Sequence, residues 1–263
     1  MMKKKDLIQM VQNPNYIAGI YNYCDRWCER CPFTARCANF AFGEQHFSNP
    51  EDRDINNARF WEKLHEAFQL TMEMVMETSE KLGIDLTELD LQAAAEEQKQ
   101  LEEAFHSHEC VMAAKKYSEM IKEWFDSTNG LFDQKEDDLR LQADLDLPGT
   151  NPFKEAASIK DAVEVIHWYQ DQIYVKLLRA VEGEFEETPE MLEEYPKDFD
   201  GSAKVALIGL DRSIAAWGVI RSHFPDKEDS ILDLLIGLGR LRAKVKEVFP
   251  NAWSFVRPGF DDM

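Results

Sequence analysis

Four cysteines near the N-terminus carry the clearest chemistry in the chain. Cys24, Cys28, Cys31 and Cys37 form the run C-x3-C-x2-C-x5-C. Thiolates are soft ligands that suit zinc or iron–sulfur clusters. Four of them in one short segment can close a tetrahedral zinc site or hold a [4Fe-4S] cubane. In a reducing compartment such clustering points to metal rather than to disulfides. Arg26, Arg30 and Arg36 interleave with the cysteines and would offset thiolate charge, while Trp27 and Phe33 could shield the site from water. The fifth cysteine, Cys110, stands alone.

A second set of candidates is spread along the chain. Three of the six histidines follow a glutamate by three positions, in the pairs Glu62/His65, Glu103/His106 and Glu164/His167. That spacing puts a carboxylate and an imidazole on one helix face, where both can bind one metal. His65 falls in line with Trp61, Phe68 and Met72, and His106 with Cys110, Ala113 and Tyr117. His108 and Glu109, beside His106, are exposed alternatives. Asp211 lies among Val205, Leu207, Ile208, Ile214 and Trp217. A carboxylate in such a setting is costly unless it is salt-bridged or bound to metal. Its neighbour Arg212 points about 100° away on a helix.

These motifs resemble parts of known families. Cys28–Cys37, with Pro32 after the third cysteine of the run, resembles the C-x2-C-P-x4-C part of the iron–sulfur loop in endonuclease III-type DNA glycosylases. The resemblance implies ligands, not DNA chemistry. The spacing of Cys24, Cys28 and Cys31 is also similar to the radical-SAM triad, but glycine-rich SAM-binding segments are missing. The Glu-x-x-His pairs resemble those of ferritin-like di-iron carboxylate proteins, in which two helices each supply such a pair and two others supply single carboxylates. That resemblance implies a di-iron or other dimetal site. Glu62, His65, Glu164 and His167 would be its main ligands, completed by Glu103, His106 and Asp211. The order along the chain departs from the family's, because the cysteine segment occupies the place of the first helix.

The elements that must position these residues read as helices. Glycine and proline are sparse and collect between periodic segments. Helices are expected over 5–12, from Ser48-Asn49-Pro50-Glu51 to Leu82, over 89–125, 158–181, 202–222 and 226–248. The segment 131–152 reads as acidic and irregular, and 182–200 as a solvated charge run. The stripe Trp61, Leu64, Phe68, Met72 and Val75 marks an apolar face, Met72, Met74 and Met76 read as core filler, and Gly237 and Gly239 would permit close helix packing. Trp253 and Phe255 suggest a tail that packs back on the body. The fold class expected is all-α: a helical bundle of four to five long helices with an N-terminal cysteine-rich metal module. Residues 1–47 would be the module and 48–263 the bundle.

Composition narrows the functions. Hydrophobic residues make up 44% of the chain and the formal net charge is −20. The charge argues against nucleic acid as the main partner, since phosphate binding needs a cationic surface. No apolar run is long enough to span a membrane, and the N-terminal lysines are followed by no signal-peptide core, so a cytoplasmic location is expected. Two readings follow. One is a dimetal oxidoreductase, acting on a small-molecule substrate. The other is a non-enzymatic, zinc- or iron–sulfur-stapled helical protein that binds a basic protein partner, with Phe33, Phe40 and Phe42 as an exposed surface.

Overall fold

A computed structural model describes residues 4–85, 91–186 and 197–262. The chain is all-α, with no strand among the described residues. It divides into two compact units: Met1–Gln100 with Val256–Met263, and Leu101–Phe255. The division between them falls at Gln100/Leu101.

The first unit holds α1 (Lys4–Val11), two 3-10 turns (Cys28–Arg30 and Thr34–Arg36), α2 (Ala38–His46), the short α3 (Pro50–Arg53) and α4 (Ala58–Leu82). The helix expected from residue 48 to Leu82 is interrupted. Asp54 Oδ1 accepts the Asn56 N–H at 2.9 Å, and Asn57 Oδ1 accepts the Arg59 N–H at 3.1 Å. These short polar side chains draw backbone donors out of the helix and restart it one turn later. Gly83, at φ 70°, ends α4 as expected. Lys4 on α1 pairs with Glu77 on α4. The apolar stripe of α4 does not fill a core: Trp61, Phe68, Met72, Val75 and Met76 are all exposed, and Leu70, on the opposite side, is buried.

The second unit contains the end of α5 (Leu91–Ser107), α6 (Glu109–Ser127), α7 (Leu131–Asp144), α8 (Pro152–Glu186), α9 (Asp198–His223) and α10 (Glu228–Val248). Helices α6, α8, α9 and α10 form a ring in which each packs on two others, with α7 against α8. Their shared core includes Ile121, Ile166, Ile173, Leu207, Trp217 and Ile231. Over Phe199–Leu210, α9 is buried on nearly every side.

Four expectations are corrected here. The helix predicted over 89–125 breaks at His108, whose Nδ1 accepts the Cys110 N–H at 3.2 Å and caps α6; residues 89 and 90 lie outside the described residues. The segment 131–152 is largely helical, because Leu139 anchors α7. Close helix packing uses Gly209, not Gly237 or Gly239: a Cβ on Gly209 would lie 2.8 Å from Tyr169 Cδ1, whereas those two meet nothing within 4 Å. Of the charge run 182–200, residues up to 186 extend α8 and those from 198 begin α9; 187–196 lie outside the described residues. Among the described residues no helix is long and apolar enough to cross a membrane.

Candidate metal centre

The cysteines are positioned by turns rather than by regular helix. The Cys24 thiol donates to the Tyr21 carbonyl at 3.6 Å. Asp25 Oδ1 accepts the Trp27 N–H at 3.2 Å, a side-chain turn that spans Arg26, at φ 60° in the left-handed region. The turn Cys28–Arg30 closes with the Cys31 N–H on the Cys28 carbonyl at 3.1 Å. The second turn delivers Cys37, whose carbonyl accepts the Ala41 N–H and starts α2. The Ile17 N–H reaches the Arg36 carbonyl at 3.0 Å and ties the strand of chain before the cysteines to the turn after them.

All four thiols line one small cavity of about 20 Å³. A space of that size holds roughly one water-sized body. Ile20, Trp27, Phe33, Phe40 and Phe260 wall it with apolar surface. Phe33 donates its backbone N–H to Cys31 Sγ at 3.4 Å. The Arg30 guanidinium sits 3.9 Å from the centre of the Trp27 ring, which turns that cation along the wall. Burial pushes the Cys28 thiol above its ordinary value, and the Cys24, Cys31 and Cys37 sulfurs push it the same way. Cys31 is raised by burial too; the Phe33 N–H opposes this, while Cys24, Asp25 and Cys37 reinforce it. A cation among the sulfurs would reverse the repulsion that acts on Cys28 and Cys31.

Among the described residues, no three or more His, Cys, Asp or Glu side chains already stand where they could hold a metal ion, the four thiols included. Ligation at the cysteines would need the thiols to close inward on the cavity they share.

The Glu-x-x-His residues divide between the two units. Glu62 and His65 belong to the first unit; Glu103, His106, Glu164, His167 and Asp211 belong to the second. His65 is exposed and bonds Gln69 along its own helix at 2.9 Å. The His106 Nδ1 meets the Tyr174 hydroxyl at 2.9 Å. His167 stacks on Phe125 with ring centroids 4.4 Å apart, and Glu164 lies 3.9 Å from Lys160. His167 and Tyr174 lie two turns apart on α8, roughly 10 Å along the axis. Asp211 faces Arg242 on α10. Cys110 is fully buried.

Sequence reasoning missed Phe260, which completes the wall of the cysteine cavity, and Gly259, which packs on Ile17 and Ile20 beside it. The Pro258-Gly259 turn signal before an aromatic was the available clue. Phe33, Phe40 and Phe42, expected to be exposed, are half-buried. Compared with family models, curated proteins and solved structures, the chain matches none.

Proposed function

We propose that this protein is a non-enzymatic, metal-stapled helical interaction protein. Cys24, Cys28, Cys31 and Cys37 together hold the metal, which fixes the N-terminal module. The observation that carries the reading is that all four thiols line one aromatic-walled cavity, beside only Tyr21, Asp25 and Arg26 among other titratable side chains. The donor set fits: four soft ligands, one of them already accepting a backbone N–H, in a site shielded by apolar rings. Four thiolates close the tetrahedral shell of a single zinc ion, the metal this reading takes. Bound there, the metal supplies cross-linking and no redox chemistry. An interaction role is supported by the exposed stripe Trp61, Phe68, Met72, Val75 and Met76 on α4, since contiguous apolar surface of this kind marks binding sites. The net charge of −20 selects a basic partner.

The dimetal oxidoreductase draws no support from the arrangement of its proposed ligands. In the second unit His106, Glu164, His167 and Asp211 each have a partner of another kind.

Elemental analysis of protein purified without oxygen tests the proposal. About one zinc per chain, lost in Cys28→Ser and Cys31→Ser, is the expected result. Iron with inorganic sulfide and visible absorption would keep thiolate ligation and overturn the single ion. A chain with no metal at the cysteines would overturn the staple itself.

A further inference from the structure

The first unit is discontinuous in sequence: Val256–Met263 join residues 1–100 in it. This returning segment is braced by its own side chains. The Arg257 backbone N–H and guanidinium both reach Asp261, at 2.9 to 3.0 Å, and the Gly259 N–H donates to Asp262 Oδ1 at 2.7 Å. The Arg257 guanidinium also lies 4.9 Å from the centre of the Phe260 ring.

The segment is seated closely. Gly259 has φ 76°, and a Cβ there would fall 2.8 Å from Ile17 Cδ1 and 3.0 Å from Ile20 Cδ1. Only glycine satisfies both the backbone and the space. That seat places Phe260 in the wall of the cavity shared by the four thiols. Its ring meets Phe33 edge-on, with centroids 5.0 Å apart. Phe33 is the residue whose N–H bonds Cys31. The strap therefore bears on the thiol site directly, through Phe260, and at one remove, through Phe33.

We propose that Val256–Asp262 is a strap that forms part of the cysteine site, with Phe260 its closing wall and Gly259 its seat, so that thiol-reactive electrophiles, oxidants and chelators reach the half-buried sulfurs faster when the strap lifts. Phe260 and Gly259 are positioning residues: they touch no ligand and act by excluding water and holding Phe33. The metal part of this proposal rests on the staple described above; the shielding of the thiols does not.

The experiment uses the full chain and the variants Phe260→Ala, Phe260→Leu and Gly259→Ala. Metal-free protein is treated with iodoacetamide, and the alkylated cysteines are identified by mass spectrometry over time. Metal-loaded protein is mixed with a coloured chelator, and the rate of metal transfer is read. Expected is about a tenfold faster alkylation of the four cysteines in Phe260→Ala and Gly259→Ala, as a low-cost local opening becomes cheaper. Phe260→Leu, which keeps an apolar wall, should stay within about twofold of the parent. Cys110, buried in the other unit, should stay unlabelled throughout and so shows that the second unit is intact. Parent-like alkylation in Phe260→Ala and Gly259→Ala overturns the strap. So does equal acceleration in Phe260→Leu and Phe260→Ala, which would mean general loosening of the module. If the parent binds no metal, the staple falls while the alkylation series still decides the strap.

Discussion

Arg242 on α10 grips Asp211 on α9 with its guanidinium spread across both carboxylate oxygens, Nη2 lying 3.3 Å from Oδ2. The carboxylate that the sequence offered to a metal is therefore neutralised by a cation from the neighbouring helix. Both side chains are more than a third exposed, so water screens the pair and it contributes about 1 kcal/mol or less. Asp211→Asn should leave the metal content of the chain unchanged and lower its melting temperature only slightly. Loss of metal in this variant would return Asp211 to the ligands.

Asp211 shows where reading the sequence stopped. A 3.6-residue period reveals which residues share a face, and it placed α9 and α10 close to their ends but cut α8 short by more than a turn at each end. It does not reveal what lies opposite: Arg242 is far along the chain from Asp211. The same limit applies to α4, where the stripe from Trp61 to Val75 was legible but its exposure was not. His108 escaped notice as a helix cap because imidazole is an uncommon cap, and α7 because its acids outnumber the few apolar residues that anchor it. The cysteine cavity was legible in its ligands, which are close in sequence. Phe260 was not, because it comes from the other end of the chain.

Glu155 joins three helices. It lies 2.5 Å from Lys135 on α7 and 3.2 Å from His223 at the end of α9, while itself on α8. The Lys135 bond, more than His223, holds its carboxyl below the ordinary 4.5. A depressed folded-state value means that this stability is present above pH about 4.5 and is lost as pH falls through the folded value. Glu155→Gln should cost about 1 kcal/mol at neutral pH and flatten the acid limb of a stability–pH curve. An unchanged acid limb would show that the joint does not stabilise the fold.

The alkaline limb has a different origin. Tyr117 and Cys110, both on α6, are raised by burial, each to about 12 from ordinary values of 10 and 9.0. Raised acids favour the folded state fully below their unfolded values and withdraw that stability as pH climbs toward the folded ones. Stability should therefore fall between pH about 9 and about 12. Trp217 Nε1 donates to the Tyr117 hydroxyl at 3.0 Å. Tyr117→Phe removes the tyrosine's part of the alkaline fall, seen as a flatter curve. It also leaves a buried indole N–H without its acceptor, at a cost of about 1–3 kcal/mol near neutrality. A variant as stable as the parent would mean that the indole finds another acceptor.

Two glycines on α9 should respond to alanine with opposite signs. Gly209 is where α9 comes closest to α8: a methyl there would meet Tyr169 Cδ1 at 2.8 Å and Ile173 Cγ1 at 3.2 Å. Both neighbours are almost fully buried, so neither ring nor branch can move without disturbing the core. Gly209→Ala should cost about 1–3 kcal/mol by forcing the two helices apart. Gly218 lies on the same helix with nothing within 4 Å of its notional Cβ. There a methyl meets only solvent and stiffens the unfolded chain, so Gly218→Ala should gain about 0.5–1 kcal/mol. Chemical denaturation of the two variants beside the parent reads both at once. Intrinsic helix propensity alone would raise both midpoints, so a fall in Gly209→Ala with a rise in Gly218→Ala isolates the α8–α9 contact as the cause. A rise in both would mean that the helices approach less closely than this packing requires.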